Sequence, residues 1–463
     1  MSMSRVSSGI CAAPSPHTGL FKGFVTAVTV AYLFLCATLA LFLPPLLIWA
    51  ALGLFALALG ALAIWRWPIA AAAGVLIAIP FLPLPTMIGQ ATGVPFVQAA
   101  SAMKEVVLMA SAVILAIRSR QPAKGGTLNW ILFGLLSIAF LHGLLGGGWM
   151  GVKDDFELVI PFLLGRLLPL DEAHQLRWVR CGLVVIAVVA SLGLLEFIFV
   201  PLEMRMAMLS IAASEVPSQY TAAGYSGTRI ASTLAGPAEF GNLCAMALVL
   251  FYSYRSRLSP KWYFAVSVVG LGLVLSVTRS AGLAALVGIG VVAIRERKKR
   301  PLVYGAAAAL ILLLVAVPRL GLIDYVATAT SGDEISFQGH VESISSNIET
   351  VLKHPMGTGA GTVGPRAIER SSQAIGIENS FLTVAVQYGW LAGLLFVSFF
   401  AALALKCWKS KSVLGTCAVA LLACYGLFMA VMPAHQSLVT ACWVLIPAGV
   451  ATGHGRGSLP ARS

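Results

Sequence analysis

The chain has 463 residues, 59% hydrophobic and 11% charged with a mean hydropathy of +0.90, which excludes a soluble globule and defines a polytopic membrane protein. Its formal net charge of +13 points to basic cytoplasmic loops and not to nucleic acid, because the sequence holds no base-reading motif or aromatic-basic patch. Eight cysteines without C-x-x-C spacing argue against both a disulfide framework and a metal site.

Residues 1–23 read as a polar cytoplasmic tail, and the apolar run from Phe24 is long enough to cross the bilayer, so no cleaved leader is expected. Apolar runs predict spans at 24–43, 47–65, 69–87, 101–117, 128–146, 156–170 and 178–200, followed by a first long outer loop at 201–236. Further spans fall at 237–254, 262–277, 280–294 and 301–319, and a large outer loop occupies 320–379. The last spans are 380–405, 413–432 and 436–452, before a cytoplasmic tail at 453–463. The expected fold is therefore an all-α polytopic integral membrane protein of about 14 (12–14) transmembrane helices in three blocks, 24–200, 237–319 and 380–452. The weakest span is 156–170, which contains Pro161 and Arg166 and reads equally as a re-entrant or interfacial segment. Keeping it puts the basic clusters at 118–124, 177–180, 255–261, 295–300 and 406–411 on one side with both termini, as cytoplasmic loops require.

Charges on the outer side are few, so each is informative. Lys153, Asp154 and Asp155 follow GGGW at 146–149 and read as a structural turn. Arg229 lies in GTRIASTLAGPAEFGN just before the span at 237, and Arg279 lies in SVTRSAGLA between two spans with almost no loop. An arginine on this side runs against the topological bias, and its planar guanidinium suits bidentate binding of a phosphate. The structural alternative is snorkelling to headgroups or pairing with Glu239. Arg319, in VPRLG, reads as a snorkelling end cap or a further cation for the same anion.

In the large outer loop, FQGHVESISSNIETVL at 337–352 predicts an amphipathic helix against the membrane mouth. His340 on it titrates near neutrality, and Glu342, two positions on, does not share its face. The stretch KHPMGTGAG at 353–361 has the glycines of a phosphate loop but lacks the closing Gly-Lys-Ser/Thr, and its outer position removes a nucleotide. Lys353 and these glycines either line the mouth where a lipid-diphosphate enters or form a turn. Glu378, in GIENSFLTVAVQYGW, is placed to accept a proton from a sugar hydroxyl, or else is a favourable charge at a helix N-terminus capped by Asn379 or Ser380.

The order of SVTRSAGLAALV, a large outer loop with a Pro-x-Gly-x-Gly stretch, and ENSFLTVAVQYGWLAGLLF resembles the O-antigen polymerase/ligase superfamily over roughly 225–405. The resemblance implies a GT-C-like glycosyltransferase with a periplasmic site in the bacterial inner membrane, moving a glycan from undecaprenyl diphosphate with inversion, without metal, nucleotide sugar or cofactor. It further implies that Arg229 and Arg279 hold the diphosphate and that the loop 320–379 shapes the acceptor site; by their own position and chemistry Arg319 and Lys353 are further candidate cations, and Glu378, His340 and Glu342 are the acid–base candidates. Two departures stand out: Gly339-His340 where family loops often have Gly-Arg, and Glu378-Asn379 where ligases have His-Asn. The second favours a repeat-unit polymerase of exopolysaccharide or O-antigen, with a flippase and a chain-length regulator as partners. A ligase acting on lipid A core is the alternative, and a transporter or a non-catalytic export component is a rival of another class.

Overall fold

The computed structural model describes residues 60–83, 95–119, 126–146, 148–168, 170–200, 229–234, 236–296, 335–368 and 376–453. The expected spans 24–43 and 301–319, most of 47–65, Arg319, and the outer-loop segments 201–228 and 320–334 lie outside the described residues. Of a first compact unit, Met1–Trp67, a helical stretch at 60–66 is described; everything below concerns the second, Pro68–Ser463.

Every regular element among the described residues is a helix. Four of them are long and apolar enough to cross a membrane: α3 (Thr127–Gly146), α6 (Glu172–Phe199), α13 (Trp390–Lys409) and α14 (Val413–Val431). These fall where apolar runs predict spans at 128–146, 178–200, 380–405 and 413–432. The other helices of this unit are α1 (Pro68–Ala78), α2 (Pro95–Ser119), α4 (Trp149–Phe156), α5 (Val159–Leu167), α7 (Pro237–Tyr254), α8 (Trp262–Leu275), α9 (Arg279–Arg295), α10 (Ile335–Lys353), α11 (Pro365–Ile368), α12 (Ser380–Tyr388) and α15 (Leu438–Thr452). With 14, 17 and 15 residues, α8, α9 and α15 are shorter than the roughly 20 residues of a full crossing.

Two expected spans are interrupted. The run 156–170 yields only the nine residues of α5, preceded by the eight of α4, so neither piece crosses a bilayer. The run 380–405 is cut at Gly389 into α12 and α13. Gly389 has φ of +88°, and a Cβ there would stand 2.6 Å from the Pro355 carbonyl oxygen, so the break requires glycine.

Close helix packing is made by small residues. A Cβ on Gly165 of α5 would lie 2.3 Å from the Ile446 carbonyl oxygen of α15, and one on Gly449 of α15 would lie 2.4 Å from that of Phe162. Phe162 meets Phe399 of α13 edge to face at 5.3 Å, inside a core that also buries Phe240, Phe396 and Phe428. Trp130, Phe133, Leu145, Ile198 and Phe199 instead point outward, as lipid-facing side chains do.

Polar contacts gather at the two ends of the bundle. At one end Arg255 pairs with Glu296 at 2.5 Å, Arg257 with Glu172, and Arg295 donates to the Ser410 carbonyl while lying over Trp408. This joins the C-terminal ends of α7, α9 and α13 to the N-terminus of α6. The opposite ends of the same helices carry the site described next.

Candidate functional site

Asp154, Asp155 and Glu157 do not form a turn on the surface. They lie on and just after α4, each 3% exposed or less, and their partners come from far along the chain. Arg366, on α11 in the segment expected as the large outer loop, donates to Asp154 Oδ1 at 2.7 Å, to Glu157 Oε1 at 3.0 Å and to the Gln436 carbonyl at 2.5 Å. Lys153 reaches sideways to Glu105 of α2 at 2.9 Å. Burial pushes the Glu157 carboxyl above its ordinary range, outweighing the pull of Arg366 in the other direction.

Asp155 is caged. Its Oδ2 accepts from Gln387 Nε2 and from the Tyr388 hydroxyl, both at 2.8 Å, and its Oδ1 accepts from Gln436 Nε2 at 2.7 Å. His435 Nε2 lies 3.2 Å from the same Oδ1, which places the ring proton on that nitrogen. Gln387 and Tyr388 end α12, while His435 and Gln436 form a short turn between α14 and α15.

From that turn a polar chain runs to the two arginine segments. Ser437 donates to Glu239 in the first turn of α7, and Thr278 Oγ1 donates to the Pro237 carbonyl at 3.2 Å. Arg229 donates through Nε to the Ser276 carbonyl at 3.0 Å and through Nη2 to Thr278 Oγ1 at 3.1 Å. Between those acceptors Val277 is held at φ +49°, a conformation that a β-branched residue rarely adopts. The turn presents both acceptors to one guanidinium, and Arg279 follows directly as the exposed first residue of α9. The two arginines, 50 positions apart, are thus brought to one turn.

The helix expected at 337–352 is α10, at Ile335–Lys353. His340 and Glu342 lie on it, with side chains outside the described residues. Lys353 pairs with Glu349 one turn back at 2.6 Å on the exposed face, and its hydrogen bond holds the Glu349 carboxyl below the ordinary range. Glu378 is exposed just before α12 and shares a small pocket of about 10 Å³, near the size of one water, with Ser343, Asn347 and Asn379. Asn379 is the cap: its Oδ1 accepts from the amides of Phe381 and Leu382, and its Nδ2 donates to the Ala430 carbonyl at 2.8 Å.

The glycine stretch folds as a turn. The amides of Thr358 and Gly359 donate to the carbonyls of Val386 and Gln387 at 2.8 and 3.0 Å, and the Gly361 amide donates to Gln387 Oε1. Those three donors are spent on the end of α12, so this loop does not present them to a phosphate. Gln387 therefore grips the glycine loop with its oxygen and Asp155 with its nitrogen.

The sequence reading missed Asp154, Asp155, Glu157, Arg366, Gln387, Tyr388, His435 and Gln436. The available signal was three carboxylates within four positions beside an apolar run, which is costly at a membrane unless each finds a partner.

The fold and site define a helical membrane protein with buried carboxylates and clustered arginines gathered at one end of its bundle. Residues 263–397 match the family model described as O-antigen ligase, which supports the resemblance to the O-antigen polymerase/ligase superfamily. The matched segment contains Arg279, α10, the glycine loop, Glu378 and the break at Gly389. A search of curated proteins found no match.

Proposed function

We propose that this chain is a polysaccharide repeat-unit polymerase of the inner membrane, transferring a glycan from undecaprenyl diphosphate to a lipid-linked acceptor at the periplasmic face. The observation that carries this reading is the convergence of Arg229 and Arg279 on the turn at 276–279, which bonds to the first turn of α7 where Glu239 lies. A lipid-diphosphate is already a good leaving group, so the reaction needs cations for the departing charge and a base for the acceptor's proton. The arginines supply the first without a metal. Glu378, exposed beside the pocket at the foot of α10, supplies the second, with His340 and Glu342 of α10 as the other acid–base candidates. Attack opposite the diphosphate inverts the anomeric centre. Two lipid-diphosphates, the growing chain and the incoming unit, give Arg319 and Lys353 a role in a second anion position. A flippase and a chain-length regulator are the partners such an enzyme requires.

In cells making the polymer, Arg279→Ala is expected to abolish it while repeat units accumulate on the lipid carrier; wild-type chain lengths in that variant would sink the reading. The family model's description favours a second reading, a ligase whose acceptor is lipid A core. Purified protein given radiolabelled lipid-linked units together with lipid A core separates the two by which acceptor gains the label.

A further inference from the structure

The Asp155 carboxylate is 1% exposed, and its two oxygens meet four side chains, matching the about four acceptor positions that a carboxylate offers. An acceptor so fully engaged has nothing left for a substrate proton. Its donors hold three things in place. Gln387 fixes the glycine loop through the Gly361 amide. Tyr388 fixes the last turn of α12, whose N-cap is Asn379, with Glu378 directly before it. Gln436 and His435 fix the turn whose next residue, Ser437, donates to Glu239 beside the arginine turn.

We propose that Asp155 is the positioning residue of this site, holding the Glu378 side and the arginine side in register without touching substrate. The proposal rests on the glycan-transfer reading for its kinetic consequence but not for its structural one. Leucine at 155 keeps the branched heavy-atom outline of aspartate and accepts nothing. Asparagine keeps one acceptor oxygen, and Gln436, whose Oε1 has no hydrogen-bond partner among the described residues, can turn its amide to meet the new NH₂ group. A catalytic base would lose its function in both variants; a positioning acceptor survives in one.

The experiment compares wild type, Asp155→Leu, Asp155→Asn and Gln387→Met as purified full-length proteins. It reads elongation of lipid-linked repeat units and amide hydrogen exchange at 355–364 and 432–438. Asp155→Leu is expected to lose about 100-fold in kcat with KM for the lipid-linked unit unchanged, as a small misplacement does. Exchange in both segments should rise about tenfold. Asp155→Asn should stay within about tenfold of wild-type kcat. Equal losses in the two variants, wild-type exchange in Asp155→Leu, or a loss carried by KM would each overturn the proposal. Should Asp155→Leu fail to fold, Gln387→Met decides, since it keeps the carboxylate but cuts the grip on Gly361. It must speed exchange at 355–364 and lower kcat, and unchanged values overturn the proposal. If exchange responds as expected while wild type elongates nothing, the positioning role stands and the transfer reading falls.

Discussion

Asp154 and Glu157 share Arg366, so deleting the guanidinium strips two buried carboxylates of their common cation. Arg366→Met is expected to cost about 3–5 kcal/mol, read as a fall in thermal stability, whereas Arg366→Lys recovers only part because one ammonium does not fork. A change below about 1 kcal/mol would mean that the pair is not ionised. Glu157 also gives a pH signature. Burial raises its pKa above 4.5, so the folded chain retains a proton that the unfolded chain releases. Its contribution to stability is therefore full below 4.5 and is lost as pH rises through the folded value. Glu157→Gln should remove a slope of at most about 1.4 kcal/mol per pH unit from the difference between the two stability curves. Sequence reasoning singled out Arg229 and Arg279 because a cation expected on the outer side runs against a known bias. It missed the carboxylates because Asp155 and Gln436 are 281 positions apart, and local pattern carries no trace of such a pairing.

The helix α10 and the Asn379 cap were legible because amphipathic spacing and capping are local properties. The break at Gly389 was not, since hydropathy registers an apolar run and is blind to a positive φ inside it. The glycine loop is seated on that break. Gly357 has φ of +89°, and a Cβ on it would stand 2.3 Å from the Gln387 carbonyl oxygen. Gly357→Ala is therefore expected to destabilise the fold by more than about 1 kcal/mol and to expose 354–364 to protease. Cleavage no faster than in wild type would show that the loop is held by something other than this contact.

Basic residues meet at one end of the bundle and the carboxylate–arginine site sits at the other, the polarity that the positive-inside rule predicts if the proposed function, with its site on the outer face, holds. With native cysteines replaced, a membrane-impermeant maleimide should label Lys353→Cys in intact cells and Lys409→Cys only after permeabilisation. Labelling of both from outside would reverse or void this orientation. The sequence supports about 14 crossings on hydropathy; among the described residues four helices meet the full length, two expected spans, 156–170 and 380–405, fold as short or interrupted pieces, and 24–43, most of 47–65 and 301–319 lie outside the described residues. The membrane class was visible in composition and the family resemblance in motif order; the interruptions depend on tertiary contacts around α4.

The span of 281 positions between Asp155 and Gln436 also sets a schedule for biogenesis. At typical synthesis rates the ribosome takes roughly 15–60 s to travel that distance, and throughout this interval the cage lacks the turn that closes it. A nascent chain halted before His435 therefore displays α4 with its acidic groups incompletely matched. Quality control that senses polar groups in lipid would register every such truncation as unfinished.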